Sequence, residues 1–233
     1  EDMDIVREVT PFVTGISESK GGAGNPSPIT AYGVFMGMKA AAKFKYGSDI
    51  LEDKNIFVQG IGNVGEALVE HLANEGAKVT ISDISQERLQ EVKSKYDVTI
   101  YGGSDIYSEE MDIYAPCALG ATINDNTINK LRADIIAGAA NNQLANELRH
   151  GTLLQERGIV YAPDFLINAG GIINVYAELE NYGKAEIMRK TENIYNTTLE
   201  IFENARQNNL STHNAALNIA KDRIATRKRE NAK

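Results

Sequence analysis

Gly60-Ile61-Gly62-Asn63-Val64-Gly65 follows the apolar run Asn55-Ile56-Phe57-Val58-Gln59 directly and opens a helical pattern, Asn63 to Glu75, that Gly76 closes. Strand, glycine turn and helix in that order turn a weak G-x-G-x-x-G string into a dinucleotide fingerprint. Gly60 allows the tight turn, Gly62 lets the backbone approach a pyrophosphate, and Gly65 lets helix and strand pack closely. The first turn of the helix, from Asn63 and Val64, offers free N–H groups to the anion. The remaining alternative is a glycine-rich turn that binds nothing.

Outward from this motif the pattern alternates. Strands are expected at Lys78 to Ser82, Val98 to Tyr101, Asp112 to Ala115, Asp134 to Ala137 and Ile159 to Ala162. Between them helices are expected at Gln86 to Tyr96, Asp125 to Leu131 and Gln143 to Glu156. Short apolar strands alternating with helices predict an α/β fold, a doubly wound, mostly parallel Rossmann sheet in the order 3-2-1-4-5-6. Upstream, Ser27 is read as the N-cap and Pro28 as the first residue of an Ala-rich helix running to Tyr46 and ended by Gly47. After Asp164 the β pattern stops. Ala169 to Asn181, Lys184 to Gln207 and Thr212 to Lys228 read as helices, with Ile187, Ile194 and Ile201 on one face and Ser211 as the last N-cap. The expected organisation is a leading segment and hinge loop over 1–27, a NAD-binding Rossmann domain over 28–182 and C-terminal helices over 183–233.

Composition narrows the function class. Of 233 residues, 24 are Lys or Arg and 32 are Asp or Glu, so the formal charge of −8 supplies no basic surface for nucleic acid. No apolar run approaches the roughly 18 to 20 residues that span a bilayer, so no membrane partner is expected. The single Cys117 excludes an internal disulfide, and the three histidines, His71, His150 and His213, lack metal-ligand spacing. These features point to a reducing, metal-free, cytoplasmic setting. The start at Glu1 has no basic or apolar leader, and suggests a chain that has been processed, excised or recorded incompletely.

Asp83 ends the second strand, 23 positions after Gly60. An acidic group there accepts hydrogen bonds from the adenosine ribose and repels a 2′-phosphate, which favours NAD over NADP; helix capping is its plainer role. Arg88 keeps NADP open, though a solvated helix face suits it equally. Cys117 reads as a small buried residue and the histidines as packing or surface residues. Asn141 and Asn142 follow the fifth strand and Asn168 the sixth, at the sheet edge where open α/β folds bind ligands; capping is the alternative for each. Thr30, beside the glycine-rich Gly21–Pro28 loop, is a similar candidate.

In order along the chain, Val13-Thr14-Gly15, Gly24 to Val34, Gly60 to Gly65, Asp112 to Gly120, Ala139 to Leu144 and Asn168-Ala169-Gly170-Gly171 resemble the glutamate/leucine/phenylalanine/valine amino acid dehydrogenase family, most of all its leucine-acting members. The resemblance implies NAD-dependent oxidative deamination of an L-amino acid to a 2-oxo acid and ammonia, reversibly, through an imine that water hydrolyses. It implies that Gly60, Gly62, Asn63 and Gly65 hold the pyrophosphate, Asp83 the ribose, and that Ala118 and Ala139 line the cofactor groove. Thr30 and Asn141 are then expected to orient the nicotinamide, and Asn168 to lie beside the substrate. Ile172 and Val175 form part of its side-chain pocket. Both are apolar, so leucine, valine or isoleucine fits, with an aromatic side chain as the nearest rival.

The family also carries a substrate domain with two lysines, one for the carboxylate and one as general base. No matching segment occurs here, and Lys20 and Lys39 are not candidates, so no catalytic residue is assigned within this chain. The expectation is a cofactor-binding portion, inactive alone and homo-oligomeric when complete. Two rivals stand beside it: a phenylalanine dehydrogenase, and a non-catalytic NAD(H)-sensing Rossmann module.

Overall fold

Six strands hydrogen-bond into one all-parallel sheet, in the spatial order β3-β2-β1-β4-β5-β6. They are β1 (Asn55–Gln59), β2 (Lys78–Ser82), β3 (Val98–Ile100), β4 (Glu110–Pro116), β5 (Arg132–Ile136) and β6 (Val160–Tyr161). The coordinates, a computed structural model, describe residues 2–180 and 182–231. Register explains why both faces of these strands are apolar. Phe57, Tyr114, Ile136 and Tyr161 align across four strands on one face, while Ile56, Ile113, Ile135 and Val160 align on the other. A parallel sheet covered on both sides needs such two-sided strands.

The helices are α1 (Asp2–Val9), α2 (Ser27–Tyr46), α3 (Asn63–Asn74), α4 (Gln86–Lys95), α5 (Glu147–Glu156), α6 (Asp164–Ile167), α7 (Gly170–Glu180), α8 (Lys184–Glu192), α9 (Ile194–Asn208) and α10 (Thr212–Asn231). Helix α2 is the central strut. Ala31, Val34, Met38, Ala41 and Ala42 are wholly buried on it, and it shares one apolar core with Leu68 and Leu72 of α3, Leu89 of α4 and Phe202 of α9. Gly37 leaves room for Ile167, because a Cβ there would stand 2.2 Å from Ile167 Cγ2. Phe57, Tyr114 and Tyr161 form the second core with Leu154 of α5 and Ile128. The stripe of Ile187, Ile194 and Ile201 is buried, so the C-terminal helices cover this same unit.

The expected strand order holds, and four local expectations do not. Residues 125–130 form successive turns instead of a helix. Backbone bonds of i to i−3 spacing, from Thr127 to Asn124 O and from Lys130 to Thr127 O, are mixed with i to i−4 bonds, from Ile128 to Asn124 O and from Leu131 to Thr127 O, so no continuous helical ladder forms, and the Asn124 and Thr127 side chains brace the first turn. Helix α5 starts at Glu147, not Gln143, because the Asn146 side chain caps it through the N–H of Arg149. The expected helix from Lys184 to Gln207 is interrupted at Asn193. Ser27 is not the N-cap of α2 but its first helical residue; Asn25 Oδ1 accepts from its N–H at 3.0 Å. The short α6 falls where no element was expected. Ser211 does accept from the N–H of Asn214 at the start of α10, and the expected helix end at Asn181 lies outside the described residues.

Candidate functional site

The carboxyl edge of the sheet collects the loops after β1, β4 and β5 and the segment after α6. Its geometry begins at the three fingerprint glycines, which differ in what a side chain would meet. A Cβ on Gly60, whose φ is +92°, would lie 2.6 Å from Ala118 Cβ, and one on Gly65 would lie 2.1 Å from the Gly60 carbonyl oxygen. A Cβ on Gly62 would meet nothing within 4 Å. Gly60 and Gly65 are therefore required by the protein's own packing, whereas Gly62 faces open space beside the first turn of α3.

From Gly60 the edge continues without a break. A Cβ on Gly120 would stand 2.5 Å from Asn141 O, and the N–H of Ala121 donates to Asn142 O at 2.7 Å, so the loop after β4 lies on the loop after β5. Asn168 Nδ2 donates to Ala139 O at 3.2 Å and to Asn141 Oδ1 at 2.7 Å. A Cβ on Gly170 would lie 2.1 Å from Ile29 O, and one on Gly171 would lie 2.7 Å from Thr30 Oγ1, so α7 begins against the first turn of α2. Thr30 itself donates to Pro26 O at 2.9 Å. Segments from Ile29 to Gly171 thus meet along one edge.

Asp83 is tied to that edge, with Oδ2 accepting from the N–H of Ile61 at 2.8 Å and Oδ1 from the N–H of Ser85 at 2.9 Å. The N-cap of α4 is Ser85, not Asp83. A carboxylate has about four acceptor positions, so Asp83 retains capacity toward a ligand. Arg88 reaches back to Ile61 O at 3.1 Å and to Glu66 Oε2 at 2.7 Å, bracing the glycine loop instead of facing solvent alone. The ammonium of Lys95 and the guanidinium of Arg88 hold the Glu66 carboxyl below its ordinary range. Burial pushes the Cys117 thiol up to about 12, which fits an inert packing residue.

Helix α7 has two faces. Ile172, Tyr176 and Leu179 are exposed on one, Ile172 by 70%, with Val175 half-buried among them. On the other, Asn174 and Glu178, one turn apart, grip the glycine-rich Gly21–Pro28 loop: Asn174 Nδ2 donates to Ala23 O at 3.3 Å, and Glu178 Oε1 accepts from the N–H of Ala23 at 2.8 Å. Glu178 also accepts from the N–H of Gly15. A cavity of about 640 Å³ lies on this second side, lined by Ile29, Asn174, Ala177 and Met188 among others. It faces away from Ile172 and Val175.

The histidines stand apart from this edge. His71 packs against the rings of Tyr32 and Phe35, which also touch each other, and His150 accepts from the N–H of Asn146 and meets Asp125 at 3.0 Å. His213 is buried 3.2 Å from Glu147. Lys39 pairs with Glu75, and Lys20 with Glu8.

Three features of the edge had escaped the sequence reading. Gln143, fully buried, donates through Nε2 to Gly138 O at 2.8 Å and Ala140 O at 2.9 Å. Ile84 is fully exposed next to Asp83, an apolar residue in a turn that could have been noticed. Glu178 gave no signal, since its partners lie 155 and 163 positions away.

A sequence profile of the Glutamate/Leucine/Phenylalanine/Valine dehydrogenase family matches residues 21–87 and 84–231. A leucine dehydrogenase of Bacillus cereus is 51% identical over 98% of this chain and 62% of its own length. An L-tryptophan dehydrogenase of Nostoc punctiforme is 44% identical over the whole chain and 65% of its own length. The crystal structure of L-tryptophan dehydrogenase from Nostoc punctiforme superposes with a TM-score of 0.83 at 45% identity, over 86% of this chain and 61% of that one. The chain thus spans less than two thirds of these relatives. With the parallel sheet, the glycine turn and the Asn141–Asn168 edge in place, the chain belongs to the Glu/Leu/Phe/Val dehydrogenase family.

Proposed function

We propose that this chain is the NAD-binding portion of an amino acid dehydrogenase that oxidatively deaminates a branched-chain L-amino acid, leucine with valine and isoleucine, to the 2-oxo acid and ammonia. The observation that carries the reading is the open space over Gly62, flanked by the tight contacts of Gly60 and Gly65. A pyrophosphate suits a site where the backbone is bare and a helix begins. In the bound state the nicotinamide supplies the hydride acceptor. The residues divide the rest of the work. Gly60, Gly62, Asn63, Val64 and Gly65 hold the phosphates, Asp83 takes the ribose hydroxyls, and Ile84 offers an apolar surface to the adenine. Ala118 and Ala139 line the groove. Thr30 and Asn141 orient the carboxamide end of the cofactor, and Asn168 faces the substrate.

The free face of α7 supports an aliphatic substrate, with Ile172 and Val175 as one wall of its pocket. An aromatic substrate is the second reading, favoured by the 44% identity to a tryptophan dehydrogenase. Residues 28–182 serve as the cofactor domain and 183–233 as helices that brace it, within a homo-oligomer. The single Cys117, free and half-buried, suits a reducing cytoplasm. Two experiments on the purified chain decide the matter. NADH fluorescence should saturate on titration, and NAD with L-leucine should give no NADH, because the general base lies outside these residues. Absence of saturable binding defeats the cofactor assignment; turnover defeats the assignment of the base elsewhere.

A further inference from the structure

We propose that Gln143 and Asp164 are positioning residues for the nicotinamide end of the groove, forming a buried support that sets the height of the Gly138–Asn142 loop and so of Asn141. The inference rests on the cofactor reading above and adds to it residues that touch neither cofactor nor substrate.

The loop after β5 is tied to the β4 side by backbone bonds, from the N–H of Ala140 to Pro116 O at 2.9 Å and from the N–H of Ala121 to Asn142 O at 2.7 Å, and its inner side is held by a side chain. Its carbonyls at Gly138 and Ala140 both turn inward, and the Gln143 side-chain amide donates to each, at 2.8 and 2.9 Å. Gln143 is wholly buried and its Oε1 has no partner among the described residues. A buried amide that leaves one atom unpaired costs stability, and the two carbonyl bonds its Nε2 makes offset that cost by holding the loop. The loop leaves the support with Asn142 at φ +53°, a left-handed conformation that non-glycine residues seldom adopt.

The far side of the support is equally specific. The N–H of Gln143 donates to Asp164 Oδ2 at 3.3 Å, and Tyr161 OH donates to Asp164 Oδ1 at 3.0 Å. Burial raises the Tyr161 phenol well above its ordinary range, so it stays a donor. Thr212 Oγ1 donates to Tyr161 O at 2.6 Å, tying α10 to the same point. Asp164 opens α6, and Asn168, which grips Ala139 O and Asn141 Oδ1, directly follows its end. The two ends of one four-residue helix therefore hold the loop, through Asp164 on Gln143 and through Asn168 on Ala139 and Asn141. The support is remote from Gly62 and Asp83, which gives it a distinctive signature.

The test compares NADH with ADP, which shares the adenosine and pyrophosphate but lacks the nicotinamide half. In the full chain, Gln143→Met keeps length and apolar bulk and removes both donors. NADH affinity should fall about tenfold and ADP affinity should stay within about twofold, against a melting temperature that reports the fold. Asp164→Asn, which can still accept from Tyr161, should give the same split at about threefold; it carries the test if Gln143→Met does not fold. Equal losses for both ligands, or a lowered melting temperature with NADH affinity unchanged, overturn the proposal while the cofactor reading stands. A wild-type chain that binds neither NADH nor ADP overturns the cofactor reading and this proposal with it.

Discussion

Asn168 Nδ2 donates to Asn141 Oδ1 at 2.7 Å, and that one bond fixes which way the Asn141 amide points. With its oxygen engaged, the donors left to Asn141 are those of its NH₂, which is what the proposed recognition of a carboxamide or carboxylate oxygen requires. Asn141→Asp keeps an acceptor for Asn168 but removes those donors. NADH affinity should drop about tenfold, about 1.4 kcal/mol, with the melting temperature unmoved. Unaltered affinity would show that those donors play no part.

Gly62 and Gly65 should separate binding from folding. Alanine at Gly65 puts a carbon 2.1 Å from Gly60 O, an overlap relieved only by moving α3 off β1, which costs about 1–3 kcal/mol or more. Alanine at Gly62 meets no protein atom and costs at most about 1 kcal/mol as a poorer N-cap. Thermal unfolding beside an NADH titration should find Gly65→Ala markedly less stable, and Gly62→Ala stable but at least about tenfold weaker in binding. Equal binding by Gly62→Ala and wild type would contradict a pyrophosphate at this turn.

The fingerprint was legible because each glycine answers to atoms nearby in the chain or to a ligand, and both needs leave a local pattern. The six strands were legible for a similar reason, their apolar runs being covered on both faces. The turns at 125–130 were not, since side-chain spacing does not distinguish a continuous helix from the mixture of i to i−3 and i to i−4 bonds found there. Gln143 fits a helical pattern by spacing, and its true acceptors, backbone carbonyls three and five positions away, leave no mark on that spacing. The clamp of Glu178 on Gly15 and Ala23 joins segments that only tertiary folding brings together.

That clamp predicts a dynamic effect. Glu178 is a charged acceptor for two backbone N–H groups, and such bonds contribute about 1.5–3 kcal/mol each. In Glu178→Ala the Gly15 and Ala23 amides should exchange with deuterium at least about tenfold faster, while amides of β1 and β4 keep wild-type rates. Unchanged protection at both sites would mean that other contacts hold the glycine-rich loop.

Cofactor choice should respond to Asp83 and Glu66 together. Asp83→Ser removes the charge that opposes a 2′-phosphate, but Arg88 remains occupied by Glu66 at 2.7 Å and Ile61 O at 3.1 Å. The ratio of NADPH to NADH affinity should rise about tenfold in Asp83→Ser and further when Glu66→Gln weakens the hold on Arg88. A ratio that stays flat in both would remove Asp83 from the ribose site.

His71 sets the pH dependence between neutrality and mild acid. Burial lowers its pKa, with Glu70 opposing, so the folded chain holds the imidazole neutral against the rings of Tyr32 and Phe35. The unfolded chain takes up its proton first as pH falls through about 6.5. Stability from this group is therefore complete above that pH and declines below it, toward the lowered folded value. His71→Phe keeps a ring against Tyr32 and Phe35 but carries no proton. Its melting temperature should fall less steeply from pH 7 to pH 5 than the wild type's, the carboxylates held low by ion pairs contributing at more acid pH. Parallel curves for the two proteins would show that the imidazole is accommodated equally well with its proton on.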